Sequence, residues 1–160
     1  MTTLAAHGVS IEVPAGWEAE LSIQPDPSTL DPAAEPLPAP LVVLHAANFS
    51  LPAERGDYGS GAVEAMDRNG IFAALVEFDR ASAARMLFSR EGVPNRLAAD
   101  DFAPDQLNVA VAGQSGRQQF FRAGSRPFCL YAVIGSHSRR GVLVPELNRV
   151  LSGLGVDSGG

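Results

Sequence analysis

The runs Arg117–Ala123 and Pro127–Gly135, flanking Gly124-Ser125-Arg126, constrain this chain more than any other segment. Two strand-like runs joined by a short glycine-bearing turn make a β-hairpin. A hairpin is stable only once its apolar face is covered by more strands or by a helix. The helix follows at once. From a start near Val142–Pro145, where proline suits the first turn, Leu143, Leu147, Val150, Leu151 and Leu154 recur at helical spacing. Gly153 and Gly155 are expected to stop it, and the polar end 157–160 to fray.

Upstream, Val9-Ser10-Ile11-Glu12-Val13-Pro14 and Trp17-Glu18-Ala19-Glu20-Leu21-Ser22-Ile23 each alternate apolar with polar across the Ala15-Gly16 turn. That pattern predicts a half-buried antiparallel pair. The continuous apolar runs 41–49 and 71–78 suit strands covered on both faces. Between them, Ser60 is expected to cap a short helix, Ala62–Met66, that Asn69-Gly70 ends. Asp79 is expected to cap a second helix near Ala81–Arg90, with Gly92 and Pro94 as stops. Residues 95–115 read as a loop with one strand near Leu107–Val111.

Six prolines fall between Pro25 and Pro40, which forbids regular pairing and favours an extended surface connection. No internal repeat is visible. Strand pairs at both ends with helices between them predict an α+β domain: a mostly antiparallel sheet with helices packed on it, spanning residues 1–156.

A chain of 160 residues removes roughly 68–70% of its unfolded surface from water, so a core can hold it without disulfides or metals. Apolar residues at 46% and charged residues at 19% lie in the globular range. Cys129, the lone cysteine, lies in an apolar run and reads as a small core hydrophobe in a reducing compartment. The amino terminus lacks signal-peptide features and no apolar run approaches the ~20 residues a bilayer requires, so a cytoplasmic location is expected. Net charge is −6, and all twelve cationic residues are arginine, a bias typical of a GC-rich genome. Without a basic block, such a chain is repelled by phosphate backbones and anionic membranes, so neither is an expected partner.

The segment Val9-Ser10-Ile11-Glu12-Val13-Pro14-Ala15-Gly16-Trp17 resembles the start of Mog1/PsbP-like domains, a strand followed by Pro-x-Gly-Trp. A strong hairpin followed by a terminal helix is similar too. The resemblance implies an α/β/α sandwich and an adaptor or accessory role, and it brings no catalytic set.

No residue pattern promises bond chemistry. His7, His45 and His137 stand apart from one another and from Cys129, without the spacing of a zinc set, so no metal or cofactor is expected. Ser60 has glycines immediately beside it rather than two residues away, so the esterase elbow fails. The loop Gly56-x-x-Gly59-x-Gly61 could offer N–H groups to an anion but reads better as turn geometry. Asp100, Asp101 and Asp105 lack calcium-loop spacing.

The best candidate for ligand contact is Ser136-His137-Ser138-Arg139-Arg140, whose arginines, histidine and hydroxyls suit a carboxylate or phosphate. Two readings follow. In the first, the chain is a non-catalytic interaction domain binding a protein partner or itself, with Trp17, Tyr58, Phe102, Phe120 and Phe121 as interface anchors. Phe120 and Phe121 must then face opposite sides of the sheet. In the second, it is a small-molecule or anion binder, or a hydrolase-type enzyme, with Ser60, His45 and His137–Arg140 sharing one pocket.

Overall fold

The computed structural model describes residues 1–24 and 41–157; the proline-rich connection at 25–40 and residues 158–160 lie outside them. The described chain is α+β: eight strands in two antiparallel sheets with one α-helix. The strands are β1 (Thr2–Ala6), β2 (Val9–Val13), β3 (Glu18–Ile23), β4 (Val42–Ala47), β5 (Ile71–Glu77), β6 (Ser115–Ala123), β7 (Arg126–Ile134) and β8 (Gly155–Val156); the helix is α1 (Arg140–Leu151). A five-stranded sheet has the order β3-β4-β5-β7-β6, and a three-stranded one the order β1-β2-β8. No helix among the described residues is long and apolar enough to cross a membrane.

Period-two alternation sorts the central strands onto two faces. Phe128, Leu130, Ala132 and Ile134 of β7 join Ile71, Ala73 and Leu75 of β5 in the core beneath α1. Cys129, Tyr131 and Val133 join Phe72, Ala74 and Val76 in a second core, roofed by Ala62, Val63, Leu107 and Tyr58. Every residue of β4, β5 and β7 is buried, as the continuous apolar runs require. The helical stripe Leu143, Leu147, Val150, Leu151 and Leu154 is buried throughout. The β6–β7 hairpin turns at Gly124, whose φ of 60° is one a side chain rarely adopts.

Five local expectations need correction. The segments around Ala15-Gly16 do not pair with each other. β2 lies between β1 and β8, whereas β3 pairs with β4, so the turn Pro14–Trp17 carries the chain from one sheet to the other. The competing partner is the amino-terminal strand, brought back on β2 by His7-Gly8 with φ of 53° and 77°. Positive φ at both central residues is the signature of a type I′ hairpin, which matches strand twist.

The helix expected at Ala62–Met66 is one 3-10 turn, Val63–Ala65, and Ser60 does not cap it. The helix expected near Ala81–Arg90 is two 3-10 turns, Arg80–Ala84 and Met86–Phe88, although Asp79 does accept the Ser82 N–H. Only Ser82 and Phe88 are buried there, so no apolar stripe offsets the cost of helix nucleation. No strand forms at Leu107–Val111. Nor does fraying reach Asp157, whose N–H donates to Gly8 O at 2.7 Å.

A buried ion pair ties these parts together. The Arg126 Nε and Nη2 groups donate to Glu77 Oε2 and Oε1 at 2.9 and 3.0 Å, Val42 N–H donates to the same Oε1, and Arg126 Nη1 donates to Asp157 O. The pair thus joins β5, β7, the start of β4 and the residue that follows β8.

Candidate functional site

β7 runs out at Ile134, and the chain enters α1 through the 3-10 turn His137–Arg139. The His137 N–H donates to Gly113 O at 2.7 Å, which sets the imidazole against the loop leading into β6. That loop is anchored at several points. Asn108 N–H donates to the Tyr131 hydroxyl at 2.8 Å, and the Gln118 amide donates to Asn108 Oδ1 and Gln106 O. The result is a cleft of about 250 Å³ lined by Pro104, Leu107, Ala110, Val111, Ala112, Gly113, Gln114 and His137.

Gln114 gives the cleft its polar character. It is 3% exposed, and its Nε2 donates to Val63 O at 2.8 Å, which orients the amide. Its Oε1 is buried with no partner, and so is Nδ1 of His137. A buried polar atom left unpaired costs ~1–3 kcal/mol, and Ser115 Oγ and Arg139 Nε are in the same state. The other clefts differ. Trp17 shares one of about 300 Å³ with Glu12, Glu146 and Arg149, and a groove of about 470 Å³ runs beside Asn148. Neither is lined by a buried polar atom that lacks a partner.

Of the residues expected to share one pocket, neither Ser60 nor His45 lines the cleft at His137. Ser60 is exposed on the glycine loop, and His45 lies within β4, between β3 and β5. Both His45 nitrogens are engaged. Arg55 Nε donates to Nδ1 at 2.7 Å and Nε2 lies 2.7 Å from Asp57 O, so the ring is neutral with its proton on Nε2. Burial is the main force holding its pKa below the usual 6.5; the Asp57 carbonyl opposes this and the Arg55 charge adds to it. Arg55 is itself tied to Glu20 at 2.9 Å.

In the 136–140 stretch, the Ser136 and Ser138 hydroxyls pair with each other, Arg140 Nη1 donates to His137 O, and Arg139 Nε is buried without a partner. Of that stretch only His137 lines the cleft. The glycine loop is satisfied internally: Gly56 N–H donates to Ser60 O, Gly59 N–H to Gly56 O, and Gly61 N–H to the Glu64 carboxylate at 2.6 Å. That carboxylate sits where a phosphate would have to bind.

Two interface candidates are core residues. Phe102 is 2% exposed, and Phe121 is fully covered and stacked on Phe128, because its strand position faces α1. Phe120 faces the other core, as alternation requires, and packs half-buried against Phe78 and Phe88. Trp17 and Tyr58 are half-buried, Tyr58 edge-on to Tyr131. Cys129 is buried, and its thiol is pushed up to about 12 by desolvation, far from a nucleophile's range. Among the described residues no three His, Cys, Asp or Glu side chains gather to hold a metal.

Sequence reasoning found His137 but missed Gln114. Its only sequence signal is a lone amide between Gly113 and Ser115-Gly116 at the start of a strand. No protein-family model, curated protein or solved structure matches this chain.

Proposed function

We propose that the chain is a non-catalytic recognition domain that holds a small ligand in the cleft between His137 and Gln114. The observation that carries this reading is the cleft of about 250 Å³ itself, lined by His137, by the nearly buried Gln114 and by apolar side chains from Pro104 to Val111. Recognition fits better than catalysis because the reactive side chains are disarmed. The Cys129 thiol is desolvated, both His45 nitrogens are occupied, and among the described residues Ser60 is bonded to no histidine or carboxylate. A volume near the low end of ligand pockets suits a single ring with one substituent. The Mog1/PsbP-like resemblance implies an adaptor or accessory role, which supports the non-catalytic part of this reading. A fragment screen by proton–nitrogen NMR tests it: ligands should shift the Gln114 side-chain amide and the His137 ring and be recovered unchanged. Shifts confined to other surfaces, or turnover of a ligand, would sink it.

A second reading, docking of a protein partner or a second copy, has its own observation. Met86 and Leu87 are 91% and 55% exposed side by side on one turn. Such apolar neighbours mark interaction surfaces when they belong to a larger patch. Light scattering of the wild type against a Met86→Ser, Leu87→Ser variant tests self-association, and a difference in mass favours it.

A further inference from the structure

Independently of the cleft at His137, we propose that His45 is a proton-operated latch: a second ring proton, on Nδ1, releases the loop 52–61 from the sheet while the rest of the fold stays in place. The way that loop is fastened carries the proposal. Among the described residues, every hydrogen bond from 52–61 to the sheet runs through His45 or Arg55. Arg55 Nε donates to His45 Nδ1 at 2.7 Å, His45 Nε2 donates to Asp57 O at 2.7 Å, and Arg55 Nη2 meets Glu20 of β3 at 2.9 Å. Other bonds hold the loop to itself. Gly56 N–H donates to Ser60 O, Gly59 N–H to Gly56 O, and Arg55 Nη1 to Pro52 O at 2.6 Å. A segment bonded in this way opens as a unit once its tether is cut.

The neutral ring serves both sides because one nitrogen accepts and the other donates; the imidazolium has two donors and no acceptor. A proton on Nδ1 would face the Arg55 Nε–H across 2.7 Å, donor against donor and cation against cation. The other charged groups facing the ring are Glu20 from β3 and Asp57 from the loop, and both favour the imidazolium. β5 brings Ala74 and the Phe72 ring, which carry no charge. Glu20 is 61% exposed, so solvent weakens its pull, and burial of the ring outweighs the two carboxylates. Moving the loop away relieves the clash and returns the ring to water, where its ordinary value is 6.5. Opening therefore takes up a proton. The open fraction should rise as pH falls below 6.5, by up to about tenfold per pH unit, and level off below the lower value of the closed loop.

The loop covers aromatic surface. Tyr58 lies edge-on to Tyr131 with ring centroids 5.9 Å apart, and Gly59 sits so close to Phe72 that a Cβ would strike its ring. Tyr131 and Phe72 belong to the second core, so release opens that core to solvent.

NMR of the whole chain from about pH 8 to about pH 5 tests the latch. The His45 ring protons report its titration, the Tyr58–Tyr131 ring NOE and the 52–61 amides report the loop, and the β7 and α1 amides report the rest. The NOE should fade and the loop amides shift with the midpoint of the His45 ring, while β7 and α1 hold. In His45→Gln, whose amide offers an acceptor and a donor without titrating, the loop should stay seated across the range. The wild-type match of ring and loop decides the matter even if that variant folds poorly. The latch is overturned if the ring titrates and the loop stays, if the loop and β7 are lost together, or if ring and loop both stay unchanged to the end of the range. A loop that opens at the same midpoint in His45→Gln overturns it as well.

Discussion

Removing one partner of the Glu77–Arg126 pair should cost more than removing both. Glu77 and Arg126 are 3% and 5% exposed, and two hydrogen bonds near 3 Å join them. Arg126→Met leaves a buried carboxylate whose remaining contact is the Val42 N–H at 3.1 Å, and breaking a buried pair in this way costs ~3–5 kcal/mol. Glu77→Leu with Arg126→Met removes both charges and fills the space with carbon, a replacement that is often neutral or stabilising in itself. What persists is Val42 N–H without its acceptor, ~1–3 kcal/mol. The double variant should therefore unfold at a higher urea midpoint than Arg126→Met, and still below the wild type. A double-mutant cycle by urea denaturation reads the coupling directly. A double variant as unstable as the sum of its singles would refute the reasoning, because the two side chains would then act independently.

Three further outcomes follow from the same packing. His45 is neutral in the fold with its pKa lowered, so on acidification the unfolded chain takes up the proton first. Its contribution is intact above the ordinary value of 6.5 and is lost as pH falls from there toward the lowered folded value; urea midpoints of the wild type should drop over that window, and those of His45→Gln should drop less. Cys129, buried with its thiol raised to about 12, should resist a thiol reagent in the native protein and react only at the rate of unfolding; prompt labelling at neutral pH would contradict the burial of β7. Gly59 has φ of 88°, and a Cβ there would collide with the Phe72 ring, so Gly59→Ala should lower the melting temperature by several degrees, whereas Gly92→Ala, with open space around it and a φ of 98°, should lower it less.

The parts of the fold legible in the sequence are those where one periodicity has a single physical solution. The apolar runs 41–49 and 71–78 read as strands covered on both faces, and the Leu143–Leu154 stripe as a helix face buried against a sheet. Illegible was the choice of partner. Val9–Val13 alternates equally well whether it pairs forward with Glu18–Ile23 or back with Thr2–Ala6, and the His7-Gly8 turn, which decides the matter, involves a histidine in a conformation that few side chains adopt. The stretch 80–88 carried helix stop and start signals but no buried face, and local signals without burial give only short turns.

At the site, His137 stood out because polar residues between a strand and a helix are conspicuous. Gln114 did not, because its importance lies in where its amide oxygen ends up, inside a fold built from Val63, Leu107 and His137. Three-residue turns and loop contacts bring these together across 74 positions of chain, from Val63 to His137, and no sequence spacing records that.

The central claim is that the cleft between His137 and Gln114 is a ligand site, and a crystal structure of the protein with the strongest hit of the fragment screen tests it most directly. The expected result is the ligand seated in that cleft, against Leu107, Val111 and His137. A ligand bound elsewhere with the cleft left empty would contradict it.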